Sequence, residues 1–96
     1  MASDSAVRSI TLTLTTTVAD TITLLQAWPA IDITNHDDTN DIWVRQDGTT
    51  AVASADNATL IPAGQSKVIA ASVNEDGQTV ISVVGSGGSY TIEGVN

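Results

Sequence analysis

Residues 31–48 read IDITNHDDTNDIWVRQDG, and the fold turns on how this stretch is read. Two runs, Ile31-Asp32-Ile33-Thr34 and Ile42-Trp43-Val44-Arg45, alternate apolar and polar residues. Successive side chains of a strand point to opposite faces, so each run turns its Ile and Val residues to one side. Between them lie Asn35, His36, Asp37, Asp38, Thr39 and Asn40, mostly side chains that cap backbone amides. Asp47-Gly48 supplies a second turn signal. The pattern predicts an antiparallel hairpin followed at once by another tight turn. A type I′ turn at Asp47-Gly48 would pair Gln46 with Thr49, Val44 with Ala51, Trp43 with Val52 and Ile42 with Ala53.

On the N-terminal side, Ile10, Leu12, Leu14 and Val18 alternate with Ser9, Thr11, Thr13, Thr15 and Thr17, predicting a strand with a hydroxyl face; Thr16 is the exception. Ile22 and Leu24 continue the inward set, and Trp28-Pro29 marks a crossover or an edge, because Pro29 cannot donate to a ladder. Residues 1–7 are small and polar, an arm ordered only if something holds it. On the C-terminal side, Asp56-Asn57 is a turn and Thr59-Leu60-Ile61 a short strand ended by Pro62-Ala63-Gly64. Residues 67–73 and 78–84 predict a last hairpin around Asp76-Gly77, pairing Val73 with Val80 and Ile69 with Val84. A flexible Gly85–Ser89 loop and a strand at Tyr90-Thr91-Ile92 follow. The expectation is all-β: a small antiparallel β-sandwich, Ig-like or jelly-roll-like, of about eight short strands. The N-terminal arm spans residues 1–7 and the single domain residues 8–96.

Composition narrows the rest. With 96 residues, no Phe, one Tyr and two Trp, the core must be built from Ile, Val, Leu and Ala. Eleven acidic residues against three basic ones give a net charge of −8, which repels nucleic acid and anionic lipid, so neither is an expected partner. The absence of Cys excludes a disulfide, a zinc–thiolate site or a thiol nucleophile. No leader pattern and no membrane-length apolar run is visible, so a chain that is not secreted is expected.

Each candidate site has a bland reading beside it. The Asn35–Asp41 loop is rich in oxygen ligands suited to Ca²⁺, but lacks the glycine and terminal glutamate of an EF-hand and reads as a solvated loop. His36 is the sole histidine and has no nucleophile-elbow sequence to serve. Paired aspartates could do glycosidase work, but the chain shows no walled cleft or aromatic platform. Gly85–Ser89 lacks the Lys and helix of a phosphate loop. Asn57-Ala58-Thr59 matches a glycosylation sequon, read as chance. No catalytic residue, cofactor or metal is expected, and the chain is read as no enzyme. Trp43 and Arg45 would point outward together if Ile42 and Val44 point inward, and such pairs are enriched at interface hot spots. With Val52 and Arg8 they form the expected partner interface, against the alternative that Trp43 packs inward or under a loop. Trp28 reads as a core lid.

Two stretches carry a resemblance: Ile33-Thr34-Asn35 with the run Asp41 to Thr49, and Ala55-Asp56 with the runs Ile61 to Ile69 and Tyr90 to Gly94. They resemble the small β-sandwich decoration, or cement, proteins and head structural proteins of tailed bacteriophages. The resemblance implies a virion structural protein on the outer capsid surface, bridging and stabilising major capsid protein subunits, with self-association as a trimer. A phage tail or fibre module binding a host surface glycan or another tail protein is the second reading. A non-viral adhesin or carbohydrate-binding module is the third.

Overall fold

The computed structural model describes residues 3–14, 19–47, 49–54 and 58–96. Expectations for residues 15–18, for Gly48 of the Asp47-Gly48 turn, and for the Asp56-Asn57 turn with its sequon asparagine fall outside these.

Nine strands are described: β1 (Ser3–Ala6), β2 (Ser9–Leu14), β3 (Asp20–Leu24), β4 (Ala30–Asn35), β5 (Ile42–Arg45), β6 (Thr59–Ile61), β7 (Ser66–Ala70), β8 (Thr79–Gly85) and β9 (Gly88–Val95). They form a five-stranded sheet, ordered β1-β3-β8-β5-β6, and a four-stranded sheet, ordered β2-β9-β4-β7. The fold is the expected all-β sandwich. The inward faces supply its core: Ile22, Leu24, Ile42, Val44, Ile61, Ile81 and Val83 of the first sheet against Leu14, Ile31, Ile33, Tyr90 and Ile92 of the second. The β2 alternation holds, with Ser9, Thr11 and Thr13 exposed and Leu14 buried.

The strand pairings differ from those the turns suggested. Ile31–Thr34 and Ile42–Arg45 are not a hairpin, because β4 and β5 lie in different sheets. Both runs are apolar on one face. A hairpin would leave both apolar faces on one side of a single sheet, still needing a cover, whereas a crossover turns them toward each other. The residues linking β4 to β5 are enough to span the ~10 Å between packed sheets. The same correction applies downstream. The Asp76-Gly77 turn forms, with the Gly77 amide donating to Asn74 O at 3.1 Å and the Asn74 amide to Gln78 O at 2.8 Å. Yet β7 pairs with β4 and β8 pairs with β3 and β5, so neither Val73–Val80 nor Ile69–Val84 is formed.

Trp43 is opposite Leu60 of β6 and Val84 of β8, not Val52. Residues 49–54 instead fold over the outer face of the five-stranded sheet, where the Ala51 amide donates to Ser82 Oγ at 2.9 Å. Ala19, Ala51 and Val84 are buried there, with Trp43 packed on them. The apolar character of this sheet's second face is therefore met from within the chain.

Residues 3–6 of the N-terminal arm are held, residues 1 and 2 lying outside the described residues. β1 pairs parallel with β3, Ser3 opposite Thr21 and Ala6 opposite Leu24. Trp28 forms the expected lid: it packs on the core, its indole N–H donates to Val7 O at 3.0 Å, and its ring occupies the space a side chain on Gly94 would need.

A polar contact crosses the core between β9 and β3. The Tyr90 hydroxyl on β9 donates to Asp20 Oδ2 on β3 at 2.7 Å, and both residues are buried. Burial first, then the hydrogen bond to Asp20, pushes the phenol above its usual range. The unfolded phenol ionises near pH 10, so this contact contributes fully below about pH 10 and is lost as the pH rises beyond it. Tyr90 is the sole tyrosine, which makes the prediction clean. Phenolate absorbance should appear together with loss of β-structure. A midpoint near 10 with the fold retained would contradict the placement. Tyr90→Phe should cost about 1–3 kcal/mol in a denaturant melt.

Candidate functional site

Of the four residues expected at a partner interface, three share a face and the fourth does not. Trp43, Arg45 and Val52 lie on or over the outer face of the five-stranded sheet. Trp43 is half-buried on Ala19, Ala51 and Val84, while Val52 is exposed. Arg45 is ion-paired with Asp47. That guanidinium, with the Thr49 hydroxyl and amide, holds the Asp47 carboxyl well below the usual carboxylate range. Arg8 lies apart from them. Its Nε donates to Gly94 O at 3.1 Å and its guanidinium sits 5.4 Å from the Trp28 ring centroid.

Polar side chains gather instead at the end of the sandwich where β4 crosses to β5. Asn35 is the organiser. Fully buried, it donates from Nδ2 to Asn40 O at 2.8 Å and to Ile61 O at 3.2 Å, while Oδ1 accepts the Asp37 amide at 3.0 Å. Asp37 Oδ2 in turn accepts the Asn40 amide at 2.5 Å, and Asp41 Oδ1 accepts the Ala63 amide at 3.0 Å. The His36 amide donates to Ser89 O at 2.9 Å, and its ring Nε2 lies 2.7 Å from Thr91 Oγ1.

These bonds fix the loop and set apart its tip. Asp37 and Asp41 cap backbone amides. Asp38 is exposed, and its hydrogen bond is a 3.0 Å contact from the neighbouring Thr39 hydroxyl. Among the described residues no group of three or more His, Cys, Asp or Glu side chains is placed to hold a metal ion. Chemically the loop offers a carboxylate and a hydroxyl on a rigid base, an arrangement suited to receiving a cationic group.

The glycine run read as slack has a positional role here. Gly88 lies at φ 96°, a region L side chains rarely adopt. A Cβ there would meet Asp37 Cβ at 2.5 Å. The sequence carried one signal for this loop, the Asn35-x-Asp37 spacing of an Asx-type turn. It carried none for the seat at Gly88, which depends on β9 lying beside the loop.

No family profile matches the chain, and no characterised protein matches it in sequence. A solved structure does match: Aeromonas hydrophila PliG, a periplasmic lysozyme inhibitor of g-type lysozyme. The two share 14% identity with a TM-score of 0.58, over 96% of this chain and 95% of the other, a likeness of fold. This finding overturns the capsid-cementing function and the outer-capsid location implied by the phage resemblance. The fold matched over nearly its whole length is that of a periplasmic inhibitor, and nothing found supports a virion, capsid or phage assignment. The similar structure is that of an inhibitor and not of an enzyme.

The seat of the loop is open to test. Gly88→Ala should lower stability by more than Gly64→Ala, since Gly64 also has positive φ but open space around it. A cost of about 1–2 kcal/mol is expected from φ alone at either position, with more at Gly88 from the clash. Equal denaturant midpoints for the two variants would contradict the seat.

Proposed function

We propose that this protein is a non-catalytic inhibitor that binds a lysozyme of the g type through the β4–β5 loop and works outside the cytoplasm. The observation that carries this reading is the fold shared end to end with a g-type lysozyme inhibitor. The charge supports it independently. A lysozyme must hold a cell-wall polymer bearing peptide carboxylates, which calls for a cationic surface around its cleft. A partner of net charge −8 is drawn to that same surface.

The loop suits the role physically. Side-chain caps on Asp37 and Asn40 hold its backbone in one shape, so little further ordering is needed on binding. Asp38 and Thr39 at its tip are the groups free to enter a cleft. Inhibition here means occupying the cleft and excluding the glycan, with no bond made or broken.

In a cell-wall lysis assay the purified protein should inhibit g-type lysozyme at micromolar concentration or below. Asp38→Lys should weaken inhibition at least about tenfold, because it sets like charge against the cationic cleft, while leaving the melting temperature within a few degrees. Full lysozyme activity at tens of micromolar wild-type protein would end this reading.

A further inference from the structure

The outer face of the four-stranded sheet carries an arrangement that the fold does not need. Glu93 on β9 stands directly opposite Asp32 on β4, with Ser9 of β2 and Val68 of β7 completing the row. The next row is Thr11, Thr91, Thr34 and Ser66, with the Thr11 and Thr91 hydroxyls 2.6 Å apart. His36 extends this face from Thr91 to the β4–β5 loop. Like charges directly opposite each other on a sheet are destabilising, and among the described residues neither Asp32 nor Glu93 makes an ion pair.

All three basic residues of the chain are engaged elsewhere or face away. Arg8 lies over Trp28, Arg45 pairs with Asp47, and Lys67, opposite Ile33, is on the other face of β7, exposed at the edge of the sheet. The face therefore has two adjacent carboxylates, a hydroxyl floor and no cation of its own. Four strands at ~4.8 Å spacing and about five residues of ~3.4 Å each give it roughly 250 Å². That is too little for a stable interface alone, which needs about 800 Å² per partner. Continuity through His36 joins it to the loop, so one partner surface can cover both.

We propose that this face is a docking surface for a basic protein, with Asp32 and Glu93 together receiving an arginine or lysine side chain. The inference deepens the inhibitor reading by naming a second contact surface for its cationic partner, and it rests on that reading for the partner's identity. The partner's cation offsets the Asp32–Glu93 repulsion on binding, so the pair costs stability in the free protein and favours the complex.

The test uses the full chain, a hexa-arginine peptide as probe, and two variants of equal charge change: Asp32→Asn with Glu93→Gln, and Glu75→Gln with Asp76→Asn in the β7–β8 turn. In wild type, amide chemical shifts on peptide titration should move most at residues 32–34 and 91–93. The sheet variant should bind about tenfold more weakly and melt higher than wild type, while the turn variant should bind within about twofold of it. Shifts centred on residues 72–78 or on Trp43 and Val52, equal binding by the sheet variant, or a lower melting temperature for it would each overturn the proposal. The lysis assay separates the two ideas. Peptide mapping to this face without lysozyme inhibition rejects the inhibitor reading and upholds the docking surface. Inhibition with mapping elsewhere does the reverse.

Discussion

The buried side chain of Asn35 is the constraint on which both the fold and the site depend. Its amide nitrogen reaches Ile61 O in the opposite sheet and Asn40 O in the loop, and its oxygen takes the Asp37 amide. The first bond ties the end of β4 to β6 across the sandwich. The other two shape the loop that carries the chain over. A buried amide with all of these partners adds specificity, because any register that moved Asn35 would leave several polar groups unmet at about 1–3 kcal/mol each. One residue thus sets which sheet the second apolar run enters and which way the acidic tip faces.

The rest of the molecule divides its polarity by place. Inside, the hydrogen bond from Tyr90 to Asp20 joins the two sheets a second time, through a core otherwise of Ile, Leu and Val. On the outer face of the five-stranded sheet the chain covers itself, residues 49–54 sealing Val84 beneath Ala51. On the outer face of the four-stranded sheet and at the β4–β5 end it leaves hydroxyls and carboxylates toward solvent. In a chain with an excess of eight negative charges, Asp32, Glu93 and Asp38 put carboxylates on this region, where a cationic partner gains from them. Arg45 lies on the other sheet, and Lys67 stands on the opposite face of β7 from Ser66 and Val68.

Much of this was legible in the residues, and what was not has a common cause. Period-two alternation at Ile10, Leu12 and Leu14, at Ile22 and Leu24, and at Ile31, Ile33, Ile42 and Val44 identified strands and their buried faces. Pro29 left a crossover or an edge open, and the structure shows the crossover, from β3 in one sheet to β4 in the other. Pairing was not legible. Turn signals at Asp47-Gly48 and Asp76-Gly77 suggest local hairpins, but past Asp76-Gly77 the chain leaves one sheet for the other, and between β5 and β6 Ala51 lies over the outer face of the sheet they share; turn chemistry distinguishes neither path from a hairpin. The acidic couple was hidden for the same reason: Asp32 and Glu93 lie 61 positions apart in the chain and meet only through the β4–β9 register. The phage resemblance rested on strand and turn signatures that any small sandwich can share.

The most direct measurement is hydrogen–deuterium exchange of the full chain with and without g-type lysozyme. The account predicts slowed exchange at amides 36–41 and along β4 and β9, with residues 49–54 and 72–78 unchanged. Protection confined to residues 43–54, or no protection at saturating lysozyme, would contradict it.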